Sequence, residues 1–357
     1  MSSQSFLLGY PLYAAESCGE DRVLVGGGGG TLKSGLRNEL GCYSVAGNTT
    51  AVPRCTLPIN DAATAISLSE KDGWIAAVIG ERVRTFTYRN TLLTSIIPMD
   101  ESLASAETAP STVKFSAKGS RLVVGFENGS VTVYNFPSFS EICSFSEHSH
   151  SVVDVDTSES GKLAVSTSKS TCFVWDASSG KSVFEIKTKA KKAHIRSVAF
   201  TKSGLTASVG FIVAVENENK VGGFVSTWNE SGDKKFFVKV MKEQITAMTI
   251  SESNLVACGG SEGNVSVLRM DTNGQLSHCY RTRRPFHILA VTSLAFTTPS
   301  GDLVSVSADS TMKGYAAKTI ESEPASNLLV LLLMLLILIS IALGIYIPYA
   351  QHASQNP

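Results

Sequence analysis

The sequence is short of charge. Asp, Glu, Lys and Arg make up 17% of its 357 residues, against about a quarter in an average soluble domain. That deficit points to buried strands and to one segment that is not in water. The 31 basic and 31 acidic residues cancel, so no net field draws the chain toward nucleic acid or acidic surfaces, and DNA binding gains no support. Cysteine supplies no framework either. The seven cysteines (Cys18, Cys42, Cys55, Cys143, Cys172, Cys258, Cys279) are odd in number, scattered and free of any CxxC pair; this suggests neither a zinc site nor a disulfide scaffold and fits a reducing compartment. The amino terminus, MSSQSFLLGYPLYAAES, lacks a basic n-region and holds only a three-residue apolar cluster, so this stretch is not expected to act as a secretory signal. Four sequons, at Asn48, Asn128, Asn229 and Asn264, make glycosylation a topology test.

What the chain does have is one long apolar run. Leu328 to Ile347 reads LLVLLLMLLILISIALGIYI, twenty residues without a charge, which as a helix spans about 30 Å, the hydrocarbon thickness of a bilayer. A transmembrane helix is expected over 328–347, after a juxtamembrane linker at 321–327 and before a short lumenal tail at 348–357. Lys313 and Lys318 precede the run and the tail holds no Lys or Arg, so the charge bias keeps the large domain cytosolic. Tail-anchored insertion into a thin bilayer such as the endoplasmic reticulum follows from so late a span.

Between residues 60 and 320 one phrase recurs: an alternating apolar run, a polar turn, a second run, a short turn and a third run. It starts near Thr64, Thr112, Val152, Ser197, Thr246 and Thr292. Spacings of about 40 to 50 residues are the period of four-stranded propeller blades. The pieces LLGYPLYAAES, DRVLVGG and ELGCYSV, before residue 60, supply part of a seventh blade, closed by strands from opposite ends of the domain. Trp175-Asp176 is a Trp-Asp ending and Trp228-Asn229 a relaxed one, with no Gly-His starts. The expectation is an all-β, seven-bladed WD-repeat-like β-propeller over 1–320; a pair of β-sandwiches is the alternative.

Catalytic chemistry finds little footing. His148 and His150, in a polar loop between blades, read as solvated rather than metal-ligating. Asp154 and Asp156 share one strand face and read as hydrogen-bonding groups rather than an acid/base pair. The basic runs KTKAKKAH (187–194) and RTRRPFH (281–287) read as solvated turns, with contact to anionic lipid headgroups open to them on a membrane-facing side.

The stretch VGGGGGTLKSGLRN, from Val25 to Asn38, is the anomaly. Five consecutive glycines are costly to order. Their spacing fits no phosphate motif: Lys33-Ser34 follows Leu32 rather than glycine, and positions 31 to 33 supply no third glycine for a dinucleotide fingerprint. Read as Gly27-Gly28-Gly29-Gly30, four residues, Gly35, two residues and Asn38, within a propeller that precedes a membrane span, the stretch resembles the endoplasmic-reticulum guanine-nucleotide exchange factors for the Sar small GTPase, the family of the prolactin regulatory element-binding protein. The resemblance implies a loop at 26–38 that Gly27 to Gly30 and Gly35 shape. It also implies a potassium ion held by the backbone carbonyls of Gly27, Gly28, Gly29 and Gly30, with Asn38 as the key polar contact to the GTPase. Leu36 is expected to pack against the partner's switch region. Such a factor does no covalent chemistry; it promotes GDP release and starts the budding of vesicles coated by coat protein complex II. The short tail, without a KDEL-like address, departs from family members that carry a lumenal domain or a retrieval signal. A tail-anchored scaffold that helps membrane proteins leave the endoplasmic reticulum, without exchange activity, is the alternative.

Overall fold

The alternating runs become short antiparallel strands. In the computed structural model the described residues are 4–317, apart from 32–34, 46–50, 70–72, 89–95, 104–107, 170, 187–192, 202–203, 216–217, 230 and 283, together with 320 and 339. A first strand, β1 (Gln4–Leu7), stands apart from its sequence neighbours. Sheet 1 follows with β2 (Leu12–Ser17), β3 (Arg22–Gly27), β4 (Glu39–Ser44) and β5 (Val52–Pro58). Sheet 2 holds β6 (Ala63–Ser69), β7 (Trp74–Ile79), β8 (Arg82–Tyr88) and β9 (Ile96–Leu103). Sheet 3 holds β10 (Pro110–Phe115), β11 (Arg121–Phe126), β12 (Val131–Asn135) and β13 (Glu141–Phe145), and sheet 4 holds β14 (Val152–Thr157), β15 (Leu163–Ser168), β16 (Cys172–Asp176) and β17 (Ser182–Glu185). Sheet 5 is β18 (Ala193–Thr201), β19 (Gly204–Val215), β20 (Glu218–Trp228) and β21 (Lys234–Met241). Sheet 6 is β22 (Ile245–Ile250), β23 (Leu255–Gly260), β24 (Val265–Met270) and β25 (Leu276–Arg281). The last phrase gives β26 (Val291–Phe296), β27 (Leu303–Ser307) and β28 (Thr311–Tyr315).

Six of the four-stranded sheets are consecutive in sequence, and a further one has the order β1-β28-β27-β26. β1 pairs antiparallel with β28, Gln4 opposite Gly314 and Leu7 opposite Thr311. The first strand of each sheet touches that of the next, from β2 through β26 and back to β2. The result is an all-β WD-type propeller, in which radial repetition leaves each sheet only short edges. The pieces before residue 60 thus build a complete sheet as well as the closing strand, because β5, unrecognised in the sequence, pairs with β4.

One small sheet cannot cover both of its own faces, so the apolar side chains collect between sheets. Leu24, Leu40 and Cys42 of sheet 1 pack on Ile66, Ile75 and Phe86 of sheet 2. Leu12, Val23 and Val25, from the other face of sheet 1, meet Val304, Val306 and Met312 of the composite sheet. The chain divides into two compact units, 1–317, which contains all these strands, and 318–357. Among the described residues no helix is long and apolar enough to cross a membrane; the run at 328–347, apart from Ile339, lies outside them.

Buried histidines organise two of the sheets. His148, expected in a solvated loop, is buried. Its Nδ1 lies 2.7 Å from Thr171 Oγ1 and its Nε2 2.7 Å from Ser166 Oγ, and the Trp175 indole N–H donates to the same serine at 3.2 Å. His287, at the end of the second basic run, repeats the arrangement with Thr311 and Ser305, both at 2.8 Å, and Tyr315 stands where Trp175 does. Burial lowers both imidazoles to about 4, so at neutral pH each is an uncharged hydrogen-bonding strut. Their sequence signal is a shared spacing of 18 residues from histidine to serine.

Candidate functional site

The glycine run divides between strand and loop, and close packing explains its first half. Gly26 and Gly27 are the last residues of β3. A β-carbon on Gly26 would lie 2.6 Å from Ile66 Cδ1, and one on Gly27 would lie 2.0 Å from the carbonyl oxygen of Pro11. Sheets 1 and 2 could not meet as they do around a larger residue. Gly28 leaves the ladder with φ +148° and donates its N–H to Pro11 O at 2.9 Å. A β-carbon there would come within 2.0 Å of Asn38 Oδ1.

Asn38 closes the loop from its other end. Gly30 N–H donates to Asn38 Oδ1 at 2.9 Å, and Asn38 Nδ2 donates back to Gly30 O at 3.1 Å. The side-chain amide therefore pairs with one backbone residue through two reciprocal bonds. Its own backbone carbonyl accepts from Ile59 N–H at 3.1 Å. Expected as an outward contact, Asn38 is partly buried and braces the loop internally. Of the five glycines, Gly28 is the one that makes room for that brace.

Beyond the brace the loop reaches solvent. Leu36 is 44% exposed, and Gly35, at φ +72°, has open space where a side chain would project. Residues 32–34 at the tip lie outside the described residues. Arg37 clasps the loop to its neighbours: it donates to Leu8 O at 2.8 Å, lies 5.0 Å over the Tyr10 ring and sits 3.4 Å from Glu39 Oε2. Glu39, buried beneath, accepts from the hydroxyls of Tyr10 at 3.2 Å and Tyr43 at 3.3 Å. Burial, then Tyr43 and Glu39, push the Tyr10 phenol well above its ordinary value. This polar cushion was not foreseen from the sequence.

Oxygen donors border the loop. Gly27 is held in the ladder opposite Leu12 and Glu39, so the carbonyls beyond it belong to Gly28 to Gly30. The Asp61 carboxylate borders this stretch, with its Oδ1 3.6 Å from the position of a β-carbon on Gly30. Asp61 also accepts from Ala62 N–H at 2.7 Å. A carboxylate beside backbone carbonyls is a hard, oxygen-only donor set, but the Gly30 carbonyl already accepts from Asn38 Nδ2 at 3.1 Å. Among the described residues no group of three or more His, Cys, Asp and Glu side chains is placed to hold a metal.

Other candidates take structural parts. Asp154 accepts from Ser197 Oγ at 2.6 Å and Val198 N–H at 3.0 Å, and Asp156 from Phe200 N–H at 2.7 Å. Both carboxylates stitch sheet 4 to its neighbour, sheet 5, along the wall of the central channel, where Lys114 lies 3.3 Å from Glu16. Burial lifts Asp154 to about 6. The sequence Gly259-Gly260-Ser261-Glu262-Gly263 has the spacing of a hydrolase nucleophile elbow, but it ends strand β23 and enters the turn to strand β24, whereas that elbow joins a strand to a helix. In the basic runs, 187–192 lies outside the described residues, while Arg281 and Arg284 are exposed.

Residues 139–176, from the end of sheet 3 through β16, match the family described as WD domain, G-beta repeat. The curated relatives are SEC12-like proteins. SEC12-like protein 2 of Arabidopsis thaliana is 30% identical over 200 residues, which cover 55% of this chain and 48% of that protein. SEC12-like protein 1 of the same plant is 28% identical over 164 residues, 44% of this chain and 39% of that protein. The chain thus spans about half the length, or less, of the curated relatives it matches. Among solved structures, a chain of "Crystal Structure of Mitotic Checkpoint Complex" aligns with a TM-score of 0.68 over 88% of this chain and 91% of its own, at 15% identity; that likeness concerns the propeller fold alone.

Proposed function

We propose that this chain is a guanine-nucleotide exchange factor for a Sar-type small GTPase. It would be held in the endoplasmic-reticulum membrane by residues 328–347, with the propeller in the cytosol, and would start coat protein complex II budding. The observation that carries the reading is the loop between β3 and β4: a glycine stretch tied at its base by the Asn38–Gly30 pair, with Leu36 exposed beyond the tie. The SEC12-like relatives support it, as does the match of this loop's spacing to the Sar exchange factors. Carbonyls of the Gly28 to Gly30 stretch, joined by Asp61, would hold a potassium ion, which would supply positive charge; Gly27, expected among the ligands, is held in the ladder instead.

Exchange is catalysis by differential binding: a factor speeds GDP release only by gripping the nucleotide-free GTPase more tightly than the loaded one. A thousandfold acceleration requires about 4 kcal/mol of such preference. The experiment is release of a fluorescent GDP analogue from a Sar-type GTPase, with the full chain in detergent micelles and either potassium or sodium present. Acceleration that is greater in potassium is expected. GTPase binding without acceleration would make the chain a scaffold, and release at the intrinsic rate with no binding would refute the reading.

A further inference from the structure

Three of the seven cysteines converge in the sheet that carries the glycine loop. Cys18 opens the β2–β3 turn, Cys42 lies in β4 and Cys55 in β5. Cys18 Sγ and Cys42 Sγ are 3.8 Å apart, with both side chains buried. Cys42 and Cys55 stand directly opposite each other in the β4–β5 register. Such partners have Cα atoms about 4.5 to 5.5 Å apart, within the span a disulfide bridges. Cys55 is only partly buried and packs on the same apolar cluster as the other two. Cys42 therefore faces one buried thiol and one that solvent reaches.

We propose that Cys55, Cys42 and Cys18 form a thiol relay through which hydrogen peroxide produces a Cys18–Cys42 disulfide. In the first step the Cys55 thiolate attacks peroxide; an S–O bond forms, the O–O bond breaks, and hydroxide leaves and is protonated to water. Cys55 is now a sulfenic acid, its sulfur oxidised by two electrons. Cys42 then attacks the Cys55 sulfur: an S–S bond forms, the S–O bond breaks, and a second hydroxide leaves as water. Finally Cys18 attacks the Cys42 sulfur and releases the Cys55 thiolate, which takes up a proton. In sum, two thiols and one peroxide become one disulfide and two waters. Contact with Cys18, then burial, pushes the Cys42 thiol up, and contact with Cys42, then burial, pushes the Cys55 thiol up, so the relay is slow beside an ordinary exposed thiol and millimolar peroxide is the suitable probe. The product would span the β3–β4 hairpin, of which the glycine loop is the tip.

The test treats reduced full-length chain in detergent with peroxide, traps free thiols with N-ethylmaleimide, and maps linkages by mass spectrometry without reduction. A Cys18–Cys42 link with Cys55 alkylated is the expected product. Cys55→Ser should slow its formation by about tenfold or more, and Cys18→Ser should halt the relay at a Cys42–Cys55 disulfide. Thermal melting of each variant establishes that it is folded. The relay is overturned if all three cysteines remain alkylatable while the partly buried Cys279 is oxidised. It is equally overturned if Cys55→Ser links at the unmodified rate, or if Cys18→Ser yields no Cys42–Cys55 bond.

Discussion

Replacing Asn38 with alanine separates two ways in which a loop asparagine can serve an exchange factor. The structure commits both ends of its amide to Gly30, at 2.9 and 3.1 Å. Each neutral hydrogen bond contributes about 0.5 to 1.5 kcal/mol net of the water it displaces. The pair is only partly buried, and water can replace some of what is lost, so about 1.5 kcal/mol is a reasonable sum, or roughly tenfold in the population of the braced loop. Asn38→Ala should therefore speed amide hydrogen exchange in the 26–38 peptide by about tenfold and slow GTPase nucleotide release by a similar factor. Asn38→Asp keeps the acceptor for Gly30 N–H but turns a carboxylate oxygen toward Gly30 O. It should weaken the loop more than alanine does at neutral pH and recover on acidification, as the protonated carboxyl becomes a donor. The result that refutes this reasoning is loss of nucleotide release with unchanged hydrogen exchange in the loop, since Asn38 would then act by touching the GTPase rather than by bracing its own backbone.

Three further outcomes are expected. Gly27→Ala drives a β-carbon to 2.0 Å from Pro11 O and should cost about 2 to 3 kcal/mol of global stability in urea unfolding, whereas Gly35→Ala meets open space and should cost only about 1 kcal/mol, confined to the loop; equal global costs would contradict the packing account. Asp61→Asn should reduce the difference in nucleotide release between potassium and sodium while leaving the unfolding free energy in sodium within about 0.5 kcal/mol of the unmodified chain, and an undiminished difference would remove Asp61 from the proposed ion site. His148 is lowered to about 4 in the fold against about 6.5 unfolded, so its contribution is complete above pH 6.5 and is lost as pH falls toward 4. The stability cost of His148→Gln should accordingly shrink by about 1.4 kcal/mol per pH unit across that window, and a cost independent of pH would show that the imidazole is not neutral in the fold.

How far the sequence shows all this depends on which residues carry the signal. The inner strands were legible because they are short apolar runs bounded by polar turns: WIAAVI at 74–79 and RLVVGF at 121–126 are buried nearly throughout. β5 was not, because VPRCTLP lies at the outer edge of its sheet, is largely exposed and contains two prolines, which an edge strand tolerates but no central strand does. His148 was misread because its partners lie on later strands, so its polarity looked like exposure. The thiol cluster was invisible for the same reason: Cys18 and Cys42 are 24 residues apart. At the glycine stretch the spacing pointed to a loop, but it could not separate glycines that a neighbouring sheet requires from those that shape the turn. Gly26 is of the first kind, against Ile66, and Gly28 of the second, against Asn38.

That division bears on how a glycine-rich finger could do work on a partner. A loop that must be ordered on contact spends interaction energy on its own backbone, about 1 to 2 kcal/mol per residue fixed. Here much of the base is already fixed: Gly26 and Gly27 by the ladder, Gly28 by Pro11, Gly30 by Asn38, and Arg37 by Leu8 and Tyr10. Contact energy is then left to favour one state of the partner over another. Leu36 alone cannot provide it. Complete burial of a leucine gains about 1.5 to 3 kcal/mol, and a side chain already 56% covered, being 44% exposed, has only about 1 kcal/mol still to gain. Against the roughly 4 kcal/mol that a thousandfold acceleration demands, the remainder must come from charge at the loop or from propeller surface beside it. Leu36→Ala should therefore slow GDP release by about fivefold; a hundredfold loss would place the whole differential grip on that one side chain and leave the braced backbone without a part in exchange.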